Sequence, residues 1–361
     1  METITKLNSL ERLRNRMREK EIENALISYI ENVRWLTGFS GSYGMSIVTN
    51  REHIFISDSR YREQAKEQVK NAEIVIFQSP RLAVEVLQEE LEKRNIKHLG
   101  FEAEYVTVAT YEQWKEKMPE VEFVAVKELV DPLRMVKSEE EILKIRYACG
   151  VADACFEHAS RMFQAGVTEY DIALDIEFYI RRQGDKNAFD PIVVSGERSS
   201  RPHGEPSEKK LAKGDFVTLD FGASHEGYCS DITRTIVIGE ASVRQREVYN
   251  AVLEAQLTAI DAMKPGVGAK EIDALARNVL AKYNLDSYFG HGLGHGLGRL
   301  VHDVGRMNAT SKDVLEEGQV WTVEPGVYIE GFGGVRIEDD VLITKDGVEV
   351  LTKSPKELRV Y

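Results

Sequence analysis

The chain has 361 residues, more than one hydrophobic core usually carries and enough for two domains. With 42% hydrophobic and 30% charged residues it has the balance of a globular protein, and its formal net charge of −13 argues against nucleic acid or an anionic membrane as partner. The N-terminus has no signal-like apolar stretch, and no run approaches the roughly 18 consecutive apolar residues of a membrane span, so a cytoplasmic location is the default expectation. Cys149, Cys155 and Cys229 are odd in number and form no CxxC, which argues against a disulfide framework or a thiolate zinc site.

Residues 1–131 alternate like a small α/β domain. An amphipathic helix is predicted over about 5–20, with Leu7, Leu10, Leu13 and Met17 on one face. A short apolar run at 25–30 precedes a turn-rich loop over 32–44. Two strands joined at Asn50-Arg51-Glu52 follow, then a helix in RYREQAKEQV, a strand in AEIVIF, a helix in RLAVEVLQEELEKRN and a strand in HLGFE. No glycine-rich phosphate loop follows any of these strands, which speaks against a nucleotide site.

Pro132 marks the domain boundary, and Ser138 with Glu141 makes a capping-box start. Residues 132–361 then run helix, helix, hairpin, twice over. The first helix extends to about Phe163 and the second covers TEYDIALDIEFYIRRQG, ending at Gly184. A strand, PIVVSG, and a loop over 197–215 lead into the first hairpin. The second pair of helices is predicted at roughly 241–263 and 268–284, split by Lys264-Pro265-Gly266. A glycine-rich loop, the second hairpin and a short strand, EVLT, close the chain. This order predicts an antiparallel sheet carrying helices on one face, with the two halves meeting at its centre.

Both hairpins carry an electrostatic problem. In FVTLDFGASHEGYCSDITRTIVI, a turn centred between His225 and Glu226 would set Asp220 opposite Asp231. In TVEPGVYIEGFGGVRIEDDVLI, a turn centred on Gly331 would set Glu324 opposite Glu338. Like charges facing across strands are destabilising, and buried carboxylates cost more unless something neutralises them. Two such pairs in apolar strands ask for cations.

GHGLGHGLG lies between the pairs. No register of it gives GxGxxG, and five glycines between 290 and 298 disfavour a helix by ~1 kcal/mol each. His291 and His295 are therefore placed on a loop running close to the site, one as a ligand and one beside it. His203 in SSRPHG and His302 in LVHD bring four of the eight histidines near the same place. Four carboxylates and one imidazole carry a charge of −4, which matches two divalent cations. An oxygen-rich set favours a harder ion such as manganese, with cobalt or zinc able to replace it. Two such ions would lower the pKa of a shared water and grip a carbonyl as Lewis acids.

The run LDFG…DITRT…GHGLGH…EPG…RIEDD resembles the metal site of the pita-bread metallopeptidases, the family of Xaa-Pro dipeptidase (prolidase), aminopeptidase P and methionine aminopeptidase. The resemblance covers about 132–361. Residues 1–131, with NVRWLTGFSG and ISDSRYREQA, are similar to the amino-terminal domain of the proline-specific and creatinase branch, which methionine aminopeptidases usually lack. The implied fold is α+β: a pita-bread domain with a pseudo-twofold helix–helix–hairpin repeat, plus a smaller creatinase-type α/β domain. The resemblance implies that Asp220 binds one metal, that Asp231 and Glu338 bridge, and that His295 and Glu324 bind the other. It implies a bridging hydroxide as nucleophile and Glu324 as acceptor of its proton. His302 would stabilise the carbonyl oxygen, His203 would help at the leaving proline nitrogen, and His291 would line the proline side. Arg336 would orient Glu338 and neighbouring groups, and Phe189 would wall the pocket.

Two activities follow from the resemblance: an Xaa-Pro dipeptidase, or an aminopeptidase P acting on longer peptides. A dipeptidase must recognise the free carboxylate after proline, and Arg306 in HDVGRMN is the candidate for that contact. Metal-free creatinase-type hydrolases and inactive binding modules of the same fold would show eroded ligands, whereas all five are present. The family commonly forms homodimers, which makes a second copy the expected protein partner.

Overall fold

The computed structural model describes residues 8–183 and 186–361. The chain forms two compact units, Met1–Arg134 and Met135–Tyr361.

The first unit is built on a six-stranded mixed sheet. Its order is Glu73–Phe77, His53–Asp58, Met45–Thr49, Asn24–Ile27, His98–Glu102, Glu122–Val126. The second to fourth strands in that order pair antiparallel and the outer pairings are parallel. The opening helix is Ser9–Glu19, started by a capping box between Asn8 and Glu11, with Leu13 and Met17 buried; Leu7 lies outside the described residues. The loop expected over 32–44 is half wrong. Ile30–Thr37 is a helix burying Val33, Trp35 and Leu36, and Gly38 ends it at φ 73°. The turn signal belongs only to the residues after that glycine, which can adopt the left-handed cap.

In the second unit the capping box of Ser138 and Glu141 starts the helix Glu139–Ala159, and the helix Glu169–Gln183 follows; the expected end of the latter at Gly184 lies outside the described residues. These two helices pack on the ladder of Ile192–Ser195, Phe216–Phe221 and Ile232–Val237. The helices Val243–Ala262 and Ala269–Lys282 pack on the second hairpin. The single antiparallel sheet that was expected is divided into shorter ladders. The largest is five-stranded, in the order Asp303–Met307, Gly294–Gly296, Val320–Val323, Asp339–Ile343, Val348–Val350.

A period of two sorts the side chains. Val217, Leu219 and Phe221 face one helix pair, and Trp321, Val323, Val335, Ile337, Val341 and Ile343 face the other. The even-numbered residues between them, including Asp220, Glu324, Arg336 and Glu338, are left to the opposite faces, where one cavity collects them.

The register of the first hairpin corrects the expectation. His225 pairs with Tyr228 around a two-residue turn, Glu226-Gly227, with φ 48° and 81°. Positive φ at both positions is what a tight hairpin turn demands. Asp220 therefore pairs with Thr233, two residues beyond Asp231. A shift of two preserves the face, so Asp231 still points to the side that carries Asp220. In the second hairpin the ladders on both sides of the break keep pairing residues whose numbers sum to 662. That register carries Glu324 opposite Glu338.

Candidate metal centre

Three of the four carboxylates sit where a ladder is interrupted: Asp231 before Ile232–Val237, Glu324 before Gly326–Ile329, and Glu338 between Gly333–Arg336 and Asp339–Ile343. Their backbone N–H groups, released from the ladders, reach other elements. Asp231 N–H donates to Asp340 Oδ2 at 2.9 Å, Glu324 N–H to Leu293 C=O at 2.8 Å, and Glu338 N–H to Thr233 C=O at 3.1 Å. These bonds stitch the two hairpins and the glycine-rich segment together.

Arg336 is buried with its whole guanidinium engaged by the protein. Nη2 donates to Asp220 Oδ2 at 2.5 Å, Nε to Thr233 Oγ1 at 3.0 Å, and Nη1 to Tyr328 Oη at 2.8 Å and to Pro202 C=O at 3.3 Å. Arg336 holds Asp220 directly, and its hydrogen bonds reach Glu338 through Thr233, whose hydroxyl donates to Glu338 Oε2 at 2.6 Å.

The glycine-rich segment is not a loop throughout, because Gly294–Gly296 is a strand. A Cβ at Gly294 would lie 2.0 Å from the Thr322 carbonyl oxygen, and one at Gly296 would lie 1.7 Å from that of Val304. Only glycine on each side of His295 lets the backbones close up. His295 N–H donates to Thr322 Oγ1 at 3.0 Å, and its Nδ1–H donates to Gly296 C=O at 3.1 Å. That bond fixes the tautomer and leaves the Nε2 lone pair facing Glu324 Oε1 at 3.5 Å and Asp231 Oδ2 at 3.7 Å. His291 is arranged in parallel. Its Nδ1–H donates to Gly292 C=O at 2.8 Å, and its Nε2 lies 3.0 Å from Tyr328 Oη. Tyr328 already accepts from Arg336, so its own hydroxyl proton goes to His291.

Ligand atoms of Asp231, His295 and Glu338 lie within 4.8 Å of one another. Burial, reinforced by the Glu338 and Asp220 charges, holds the Asp231 carboxyl well above the carboxylate range. Burial and the Glu338 charge do the same for Glu324, and burial with Asp220 pushes Glu338 up to about 8. Burial lowers His295 to about 3 and His291 to about 4, so both rings are neutral donors of a lone pair. Asp220 Oδ1, Asp231 Oδ1 and Glu338 Oε1 are buried and receive no hydrogen bond from the protein. Orphaned acceptors clustered around a neutral imidazole fit divalent cations held by oxygen and nitrogen.

Residues 143–345 match the model of "Metallopeptidase family M24", and residues 10–136 that of "Creatinase/Prolidase N-terminal domain". The chain belongs to metallopeptidase family M24. It is 40% identical to a Xaa-Pro dipeptidase of Pyrococcus furiosus, over 97% of this chain and 99% of that one. Among solved structures, "Xaa-Pro dipeptidase from Bacillus anthracis" is 43% identical with a TM-score of 0.94, covering 98% and 99% of the two chains. An X-Pro aminopeptidase from Thermotoga maritima is 35% identical with a TM-score of 0.90, covering 96% and 100%. The α+β fold, a pita-bread M24 domain preceded by a creatinase-type domain, is thereby shown.

In this M24 protein one cavity of about 630 Å³ gathers the expected residues. Asp220, Asp231, His295, Glu324 and Glu338 line it, as do His203, His291, His302, Arg306, Arg336 and Phe189. The His302 ring stands edge-on to His295 at 4.4 Å. Burial and the neighbouring Arg306 charge lower its pKa. Tyr328 and the pair Thr233 and Thr322 escaped the sequence reading. Parity could have found them, since Tyr328 lies four residues beyond Glu324, Thr233 two beyond Asp231 and Thr322 two before Glu324, each on the strand face of its carboxylate.

Proposed function

We propose that this metallopeptidase cleaves the bond between a residue and a following proline, and that its substrates are Xaa-Pro dipeptides. The named relatives support the proline specificity and divide over peptide length. The observation that carries the dipeptidase reading is Arg306, which lines the same cavity as the five proposed ligands. Its Nη1 donates to the carbonyls of Asp303 and Gly305, both at 2.7 Å, which anchors the guanidinium at the cavity wall. A planar fork held there matches the carboxylate that only a dipeptide carries directly after proline.

We assign catalysis to residues 132–361, leaving 1–131 as the creatinase-type domain. Asp220, Asp231, His295, Glu324 and Glu338 would hold two divalent ions, with manganese the ion suited to the oxygen-rich set. Such ions supply Lewis-acid polarisation of the scissile carbonyl and a lowered pKa for the attacking water. Glu324 accepts the proton of that water at a carboxylate oxygen. His302 donates to the carbonyl oxygen as charge develops on it. His203 delivers a proton to the proline nitrogen, which has no N–H of its own in the substrate. His291 and Phe189 form the wall against the proline ring. Arg336 and Tyr328 are positioning residues, the first for Asp220 and the second for His291. The three free cysteines are buried, which suits a reducing, cytoplasmic compartment.

The test is direct. Metal-free protein reloaded with manganese is assayed on Ala-Pro and on Ala-Pro-Ala, and the dipeptide should turn over at least about tenfold faster. Equal rates would reject the dipeptidase in favour of the aminopeptidase. Failure on both with ions bound would reject the peptidase assignment.

A further inference from the structure

The helix Ala269–Lys282 packs Ile272, Ala276, Val279 and Leu280 into the core under the second hairpin. The same buried face carries Asp273, 1% exposed. A carboxylate there is costly unless it is paired. Arg277, one turn on, supplies the pair: Nε donates to Asp273 Oδ2 at 2.8 Å and Nη2 to Oδ1 at 3.1 Å. An ion pair of this kind needs nothing beyond the helix, yet both members spend further bonds on one short segment outside it. Arg277 Nη1 donates to Phe289 C=O at 3.0 Å, and Nη2 donates to His291 C=O. Asp273 Oδ1 accepts from Leu293 N–H at 3.1 Å. The guanidinium also lies over the Phe289 ring, 4.3 Å from its centroid.

That segment, Phe289 to Leu293, precedes the strand Gly294–Gly296 and sets His291 between two glycines. Glycine leaves the backbone on each side free, so bonds from elsewhere must fix it. The helix pair provides three of them. The segment reaches the candidate centre at two points. Leu293 C=O accepts from Glu324 N–H at 2.8 Å, and His291 lines the cavity. The His291 N–H goes to Gly292 C=O and its lone pair takes the Tyr328 hydroxyl proton, so neither is left for a substrate. The Phe289 ring stands edge-on to it at 4.9 Å. What His291 presents is the carbon surface of a ring, and its use depends on where that surface stands.

We propose that Asp273 and Arg277 are positioning residues for proline selectivity: from outside the cavity they clamp the backbone of 289–293 and so hold the His291 ring against the proline ring. Neither lines the cavity itself. Given the Xaa-Pro reading above, on which this rests, the clamp sets one wall of the proline pocket. An aliphatic ring is gripped by close contact over its methylenes, and a gap of about 0.5–1 Å forfeits roughly a quarter to a half of each contact. Releasing the wall leaves the ligands of the ions where they are, so the loss falls on recognition of the ring. Arg277 holds the carbonyls on and beside His291, whereas Asp273 holds Leu293, which also fixes Glu324. Arg277 is therefore the cleaner residue to change.

Two dipeptides that share a tertiary amide test this: Ala-Pro, with its ring, and Ala-N-methylalanine, without one. If only longer peptides are cleaved, both carry a further C-terminal alanine. The manganese-loaded wild type should prefer the proline substrate by about tenfold or more in kcat/KM, and Arg277→Met should erase most of that preference. The ratio does not depend on how much of the enzyme is folded or loaded, so a merely structural loss leaves it unchanged. On a His291→Ala background Arg277→Met should change the ratio no further, since it acts through that ring. Asp273→Asn should lower the same ratio and takes the place of Arg277→Met if that variant does not fold. A wild type without the preference, an unchanged ratio in the folded variants, or a further drop on the His291→Ala background overturns the clamp and leaves the Xaa-Pro reading intact. A wild type that cleaves neither Ala-Pro nor Ala-Pro-Ala rejects that reading itself.

Discussion

Glu338 and Asp339 are adjacent and almost fully buried, yet they solve the cost of burial in opposite ways. Asp339 points to the helix side. Arg234 Nη2 donates to its Oδ1 at 2.7 Å, Thr352 Oγ1 to the same oxygen at 2.7 Å, and Gln256 and Lys356 to its Oδ2 at 2.6 Å. Burial alone would raise its pKa, but Arg234 and Lys356 outweigh burial and hold it at about 2. Glu338 points to the cavity, is hydrogen-bonded by Thr233 and reached by the Arg336 charge, yet burial and Asp220 outweigh both and its Oε1 stays unpaired. The chain neutralises a buried carboxylate with its own cations on one face of a strand and leaves the next one under-compensated on the other. The difference marks where a cation from outside belongs.

The comparison breaks if Glu338→Gln behaves like a change at Asp339. Glu338→Gln, and equally Asp231→Asn, should lose divalent ions cooperatively and lower kcat/KM by about a thousandfold or more. Elemental analysis of the dialysed variants reads the first effect, and retention of full metal content would remove both residues from the bridging role. Asp339→Ala should instead strand Arg234 and Lys356 in the interior. Removing one partner of a buried pair costs about 3–5 kcal/mol, which urea unfolding measures. If Asp339→Ala loses metal before it loses stability, the two faces are not separate.

The pH dependence of stability tests the same comparison. In the metal-free protein the Glu338 carboxyl, raised to about 8 from 4.5, keeps its proton where the unfolded chain has lost it. A raised folded pKa gives stability that is complete below the unfolded value and disappears as pH rises through the folded one. The buried histidines, lowered to about 3 to 4, act in the opposite sense, and their effect dies away about one unit above their ordinary value of 6.5. Between roughly pH 7.5 and 8.5 the metal-free protein should therefore lose stability as the Glu338 proton is released. With manganese the slope should reverse, because binding needs the deprotonated ligands. Thermal melts at both pH values, with and without manganese, give the two slopes, and parallel slopes would count against a metal centre.

Much of this centre was legible because its donors lie in strands, where a period of two assigns faces. The 662 register survives the interruption at Glu324 and Glu338 since a three-residue turn, Glu330 to Phe332, divides an evenly apolar pattern. The first hairpin was misplaced because His225-Glu226 looked as good a turn centre as Glu226-Gly227. Only positive φ at Glu226, uncommon for a non-glycine residue, settles it. The helix at Ile30–Thr37 was hidden by turn residues that follow it. Bonds such as Arg336 to Asp220 were out of reach, since they join residues 116 positions apart that no local pattern relates.

The smallest predicted effect is the most discriminating for substrate choice. Arg306 is exposed at the cavity wall, away from the orphaned carboxylates, so its loss should leave metal content intact. Arg306→Ala should raise KM for Ala-Pro about 10- to 100-fold with kcat nearly unchanged, the mark of lost ground-state binding. Arg306→Lys should recover only part, because a point charge replaces a fork. The same contact can be removed from the substrate by using the prolyl amide in place of the free acid. If the guanidinium meets the carboxylate, the two deletions share one loss, and Arg306→Ala on the amide should cost almost nothing further. Full additivity would mean that Arg306 acts on something other than the carboxylate, such as the neighbouring His302 whose pKa its charge lowers.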